Sequence, residues 1–420
     1  MGWNLRELIT KHDIPGAQVA VLADGVVEDE AAGVLSRHTG AGVTPFSAFR
    51  IGSITKVWTA TLVQQLVGEG LVDLDRPVRD QLPGFLLNDA HATASLTPRH
   101  LLAHTGGLDA NHVTGAATTE EFVAALAGAD HPFPPGAVFS YSNSGFVVLG
   151  RLVEVLRGKP FHDVLRERLA TPLGLRTVAT GGHEANPRHT AVGHDGGVPT
   201  TRLAGSQATA PSGAHLAMSA RDLLEFVRPH LTDPALAALR EPQPCSVPDF
   251  GGGISGWGLG WMRHPGGAVG HTGVSRGQKA FLRVLPSAGL AVVVLTNSTA
   301  AEALAHEIFT AAGLPAPPPA APPAAPEPIE DGWCGTYRTT LHDITLGTEG
   351  GRAFLTYRPR NDLARSFSGK PENRVEVVRL GEDTIITATP RSGAHQVMSL
   401  VGPAARPGLL HNGSAAWRIA

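Results

Sequence analysis

The sequence predicts an α+β protein, in which an antiparallel sheet flanked by helices, with a helical subdomain, is followed by a small all-β barrel. Three observations predict this. Strand-like runs stand at both ends of the first 312 residues, with helical patterns between them. A Pro/Ala-rich run, LPAPPPAAPPAAPEPIE, then interrupts the chain. Beyond it, short apolar runs alternate with Gly, Asp and Pro, at the spacing of a barrel or sandwich. The domain boundaries read as 1–313, a linker at 314–330, and 331–420.

The elements follow in chain order. The N-terminus reads as a short amphipathic helix entering a strand, and two apolar-rich runs then flank Ala-Asp-Gly, a hairpin signal. A helix is expected from Ser53, with apolar positions at Ile54, Val57, Trp58, Leu62, Val63 and Leu66 and a closing Gly70. In LTPRHLLAHTGGL, Thr97 is an N-cap and Pro98 the first helical residue. NSGFVVLGRLVEVLRG reads as a helix closed by Gly158, and Ser219 and Asp222 open another with capping-box spacing. GQKAFLRVLPSAGLAVVVLTNS is a strand, a turn and a very apolar strand, and AAEALAHEIFTAAG is the next helix. The proline run cannot join a helix or central strand. It is expected to be extended, roughly 40 Å over residues 315–328, as a linker or a surface strap. Five to eight short strands are expected after it.

Composition excludes several classes. The 420-residue chain has a net charge of −3 and no basic block, so nucleic-acid binding is not expected. No apolar run of about 18 residues and no signal-peptide pattern are present, which leaves a cytoplasmic protein without a membrane span as the expectation. Cys245 and Cys334 lie far apart, and no metal-ligand spacing occurs, so neither a disulfide framework, a metal nor a cofactor is expected.

The chemistry gathers in three motifs. The first is Ser53-Ile-Thr-Lys56. Only five of the 34 basic residues Lys and Arg are lysines, and one stands three residues after Ser53. At a helix start the two side chains share a face, and the serine sits at the positive end of the helix dipole. A lysine in a dry site can lose its proton and activate the hydroxyl, whereas arginine stays protonated. Alone, this spacing also fits a well-capped helix. The second motif is Tyr141-Ser-Asn143, around the first of only three tyrosines. The phenol suits a proton shuttle, and the amide can bind a carbonyl or hold Lys56. Alone, Tyr141 also fits a core position. The third is His271-Thr272-Gly273 on an expected strand, where glycine permits close backbone approach. The Val274 N–H then joins that of Ser53 as a possible oxyanion donor pair. His-Thr-Gly also occurs at His38, in an expected loop, and at His104, where it reads as a helix-capping feature.

In this order the motifs resemble the serine β-lactamase and penicillin-binding protein superfamily. Tyr-x-Asn looks like its class C β-lactamase and DD-peptidase branch. FRIGSITK, LTPRHLLAHTGGL, YSNSGFVVLGRLVE and AVVVLTN add to the likeness over roughly residues 5–312. The resemblance implies a β-lactamase/transpeptidase-like domain followed by a lipocalin-like barrel. It makes Ser53 the acylated nucleophile, with Lys56 and Tyr141 as general base and proton shuttle. Asn143 orients the pair or the substrate, and His271, Thr272, Gly273 and Val274 bind substrate or oxyanion. His271 departs from the lysine usual there, which puts β-lactamase activity in doubt, and Arg276 is a candidate for the missing cation. Arg418, in a terminal strand, is a candidate for substrate carboxylate binding. The implied function is a serine hydrolase or acyltransferase on peptidyl or small esters, thioesters or amides. A stand-alone peptide-cyclising thioesterase of nonribosomal peptide biosynthesis, recognising a C-terminal D-residue, with a carrier protein as a candidate partner, is the reading that a second domain and no export signal favour. An esterase, a D-aminopeptidase or DD-carboxypeptidase, a β-lactamase, and a penicillin-binding-type sensor module remain open as alternatives.

Overall fold

The structure, a computed structural model, describes residues 2–112, 115–181, 189–200, 205–362, 364–365 and 371–420. After helix α1 (Leu5–Lys11), strands β1 (Gly16–Ala23) and β2 (Val26–Gly33) form a hairpin. Asp24 and Gly25 turn it with positive φ at both positions, the primed turn that matches strand twist. The chain then leaves the sheet for helices α2 (Thr55–Gly68), α3 (Pro98–Leu102), α4 (Asn143–Arg157) and α5 (Ala220–Thr232). It returns through two short strands, β3 (Gly256–Trp257) and β4 (Met262–Arg263), which the apolar pattern is too short to reveal. Strands β5 (Val269–Ser275), β6 (Gln278–Leu285) and β7 (Leu290–Thr296) follow, then helix α6 (Glu302–Ala311).

The sheet order is β2-β1-β7-β6-β5-β4-β3, antiparallel throughout, so the N-terminal hairpin forms one edge and pairs directly with the last strand. Alternation along each strand feeds two cores. Val19, Val292, Val294 and Phe281 pack on α1 and α6, and Ala20, Val293, Leu295 and Leu282 pack toward the α2 side. Ten of the residues in α2 are buried, including every one from Thr55 to Val63, so the helix is a central post rather than a surface element. Its Trp58 stacks on Phe226 of α5 at 3.9 Å between ring centroids. The caps read from sequence hold: Thr97 accepts from His100 N–H, Ser219 accepts from Asp222 N–H, and Gly158 ends α4 in the left-handed conformation.

The proline run lies as a strap against the first domain. Pro315 packs against Gly266 and Pro317 against Gly253. Ile329, just after the run, is buried in the core of the second domain. That domain is a closed eight-stranded antiparallel barrel: β8 (Gly335–Arg338), β9 (His342–Glu349), β10 (Arg352–Pro359), β11 (Asn373–Arg379), β12 (Thr384–Thr387), β13 (Val397–Val401), β14 (Leu409–His411) and β15 (Ala415–Arg418). Pairing of Tyr337 with Arg418 closes it. Arg418 is spent on that closure. It donates to the carbonyls of Gly332 (2.8 Å), Cys334 (2.6 Å) and Ala420 (3.1 Å) and lies over the Tyr337 ring. Arg418, expected as a candidate for substrate carboxylate binding, thus has these donors directed to carbonyls of its own domain.

Candidate active site

Ser53 does not open the helix directly. It sits in a 3₁₀ turn, Gly52–Ile54, that feeds α2, which begins at Thr55. The turn is held close to β5. Gly52 has φ +52, and an added Cβ would lie 2.7 Å from Val274 N. At Gly273 an added Cβ would lie 1.8 Å from the Ile51 carbonyl oxygen, so only glycine lets the strand approach. Strand β4 pairs no further along β5 than Gly270, and this leaves the 271–275 edge open to Ser53. The backbone N–H groups of Ser53 and Val274 are thereby brought to the same place.

Lys56 is fully buried. Its Nζ lies 2.6 Å from Asn143 Oδ1, 2.7 Å from the Ser212 carbonyl oxygen and 3.3 Å from Ser53 Oγ. Burial pushes its pKa well below the ordinary lysine value. A neutral amine has two N–H groups and one lone pair. The two hydrogens fit Asn143 and Ser212, and the lone pair is left for the Ser53 hydroxyl. Asn143 is itself held by donating to Asn111 Oδ1 at 2.7 Å, so its amide oxygen must face Lys56.

Tyr141 stands just before the N-cap of α4, Ser142, whose hydroxyl accepts from Gly145 N–H. The Lys56 ammonium position lies 4.8 Å from the Tyr141 ring centre. Among the described residues the Tyr141 hydroxyl has no partner at good hydrogen-bond geometry. Burial raises its pKa, and the neighbouring Ser53 hydroxyl offsets part of that rise. Tyr141 is therefore a neutral phenol, beside an amine whose burial favours loss of its proton.

His271 is buried, with Nδ1 bonded to the Thr272 carbonyl at 2.8 Å. Desolvation first, then the charge of Lys56, pushes its pKa down to about 3. It is uncharged at neutral pH and cannot serve as a cationic anchor. Arg276 occupies the β5–β6 turn at φ +50, and its guanidinium lies against Gly205; burial first, then the charge of Arg276, lowers the pKa of Arg50.

Four groups at the site were not visible in the sequence motifs. Asn111 and the Ser212 carbonyl complete the lysine cradle. His104 does follow α3 in the left-handed conformation, as a capping residue would, yet its buried ring lies 4.2 Å from that of Tyr141. Its Nδ1 accepts from Ser142 N–H at 3.0 Å. Trp257 packs edge-on to Tyr141 and His271. The remaining support comes from the barrel. Gly413 O accepts from Tyr141 N–H (2.8 Å), Ser414 Oγ donates to Tyr141 O (2.8 Å), Ala415 N–H donates to Ser140 Oγ (3.1 Å), and His411 Nε2 bonds Phe139 O (2.9 Å).

Comparison with known proteins places this geometry among relatives. The family model described as Beta-lactamase matches residues 4–314. Penicillin-binding protein 4 of Amycolatopsis lactamdurans is 38% identical over 327 residues, spanning 72% of this chain and 86% of that protein. The crystal structure of SurE with D-Leu is similar over 98% of this chain and 97% of that one, at 31% identity and a TM-score of 0.77. A class C beta lactamase from Rhodobacter sphaeroides matches 70% of this chain and 92% of its own, at 25% identity and a TM-score of 0.60.

Proposed function

The chain belongs to the beta-lactamase family, and on that premise we propose that it is a serine acyl-enzyme hydrolase or acyltransferase with Ser53 as nucleophile. The observation that carries the reading is the buried amine of Lys56, held by Asn143 Oδ1 and the Ser212 carbonyl at 3.3 Å from Ser53 Oγ. In acylation, Lys56 takes the Ser53 proton as Oγ attacks the carbonyl. The N–H groups of Ser53 and Val274 hold the oxyanion. As the tetrahedral species collapses, the Tyr141 hydroxyl protonates the leaving group and is reprotonated by the Lys56 ammonium. An amine or water then attacks the ester in the reverse sense and regenerates Ser53.

Within that class we favour a peptidyl ester or thioester substrate with a D-residue at the reacting end, released by cyclisation. The neighbour that covers both domains was solved with D-Leu, and the barrel lies against the backbone of Tyr141. The neutral His271 speaks against a permanent carboxylate anchor of the β-lactamase kind. The test is intact-mass detection of an adduct on Ser53 after exposure to four compounds: a simple ester, a D-Ala-D-Ala peptide, a penicillin and a peptidyl thioester. Adduct and turnover with the thioester support the cyclase. Turnover of penicillin supports a β-lactamase, and a penicillin adduct with no ester turnover supports a sensor. No adduct from any compound on folded protein removes the acyl-enzyme reading.

A further inference from the structure

Arg283 on β6 is 8% exposed and yet has no acid partner among the described residues. Its Nε and Nη1 are buried without an acceptor, and its guanidinium lies 5.3 Å from the Phe309 ring centre. Burial lowers its pKa to about 10, which leaves it charged at neutral pH. A buried, unpaired cation destabilises a fold, so its presence calls for a compensating partner.

Arg283 lines a cavity of about 510 Å³. One wall is the sheet face that carries Thr272 and Val274 of β5. A second is α6, the roof is the proline strap around Pro317, and the barrel closes it with Arg391. Among the described residues on its wall the only carboxylate is Glu302, and Lys279 takes that in an ion pair. The remaining charge is positive.

The strand register relates this cavity to the active centre. Lys279 lies opposite Val274, Phe281 opposite Thr272, and Arg283 opposite Gly270. Arg283 is therefore four strand positions from Val274, about 14 Å at the rise of a strand. An extended chain of about four residues spans that distance. Arg283 shares the α1/α6 face of the sheet with Phe281, so a chain from Ser53 would reach it over the open 271–275 edge beside Val274, which is 57% exposed.

We propose that this cavity is an anion subsite of the active centre, in which Arg283 binds the carboxylate or phosphate at the far end of a chain whose reacting carbonyl sits at Ser53. The proposal rests on the acyl-enzyme reading and names the class of substrate: an ester or thioester with an anionic group about four residues from the reaction. The anion belongs either to the acyl chain, as a carboxylate, or to the leaving group, as a phosphate.

The full-length protein tests it with matched esters. Acyl chains of one to six residues would end in a carboxylate or its neutral amide, and leaving groups would carry a phosphate or a hydroxyl. The wild type should prefer the anionic member about 10- to 100-fold in kcat/KM, with a maximum near four residues, as charge-assisted hydrogen bonds allow. Arg283→Met should bring that ratio close to 1, and Arg283→Lys should keep part of it. The Tm of Arg283→Met should hold or rise, since an uncompensated charge is replaced by an apolar group of similar reach. Preference in the phosphate pair instead of the carboxylate pair assigns the anion to the leaving group. Equal rates for anionic and neutral substrates in the wild type overturn the proposal and leave the acyl-enzyme reading intact. A lower Tm for Arg283→Met with an unchanged ratio makes Arg283 structural and also overturns it. Should no ester be turned over, calorimetric titration with glutarate and with inorganic phosphate decides the matter. Binding that Arg283→Met abolishes supports the subsite, and no binding to the wild type overturns it.

Discussion

A neutral lysine amine can give two hydrogens and offer one lone pair, and the Lys56 surroundings use all three. Lys56→Arg keeps a positive charge and removes the base, so acylation by a chromogenic ester in stopped flow should fall by about 10³, within the range of general-base catalysis. A rate near wild type would remove Lys56 from the mechanism. The sign of the pH dependence follows from its lowered pKa. The base is active above that pKa, so the acylation rate should fall on the acid side, and the fall should set in at a lower pH than an ordinary lysine would give. Tyr141→Phe should depend on the leaving group: about 100-fold slower with an alkyl ester, and only a few-fold slower with a thiophenyl ester that leaves without a proton. Equal losses would mean that Tyr141 only packs. The residues that the sequence made legible are those whose side-chain chemistry is scarce, such as one lysine beside a serine and one early tyrosine. Ser212 contributes a carbonyl that any residue would supply, and Asn111 sits in a loop without a motif. His104 was legible as a cap, since its backbone does that work, but the ring beneath Tyr141 depends on tertiary packing.

At the level of elements, two contacts set the site. The first is β5 against the turn that bears Ser53. Gly273→Ala would drive a methyl into the Ile51 carbonyl and push the Val274 N–H away from the oxyanion. A loss of at least about 10²-fold in acylation is expected, as for removal of one oxyanion donor, and a variant of near-normal rate would show that the close approach is dispensable. The second contact is the barrel segment from His411 to Ala415, which takes up backbone and hydroxyl groups of residues 139–141. Ser414→Ala should lower kcat about tenfold with little change in KM, and Ser414→Thr should restore it. A parallel rise in KM, or no rescue, would point to general loosening. The element order was readable because capping residues, turn glycines and strand alternation are local signals. The short strands β3 and β4 were not, for two residues carry no periodicity. The grip of the barrel on Tyr141 was not readable either, since the Ser414 hydroxyl and the Tyr141 carbonyl lie 273 residues apart in the chain.

For the whole molecule, buried histidines join the two domains into one acid-sensitive unit. His230, His264 and His271 have pKa values lowered to about 3 and His411 to about 4, in each case chiefly by desolvation. The four are spread over α5, the strand edge around the active centre, and the junction between domains. An unfolded chain takes up a proton at each below pH about 6.5, while the folded chain does not until near 3 to 4. The unfolded state therefore binds more protons across that window, and stability falls as pH falls through it. Each histidine contributes about 1.4 kcal/mol per pH unit. The four together amount to about 6 kcal/mol at pH 5.5, near the lower end of a domain's whole stability. Unfolding is therefore expected between about pH 5.5 and 4.5, above the range in which ordinary carboxylates titrate. Urea midpoints followed by circular dichroism at pH 7.5, 6.5 and 5.5 check this, and a midpoint unchanged over that span would refute it. Because His411 bonds the backbone just before Tyr141, loss of that contact should release barrel and active centre together. Acylation activity and the circular dichroism signal should then disappear at the same pH, and activity lost a full unit earlier would mean that the active centre opens on its own.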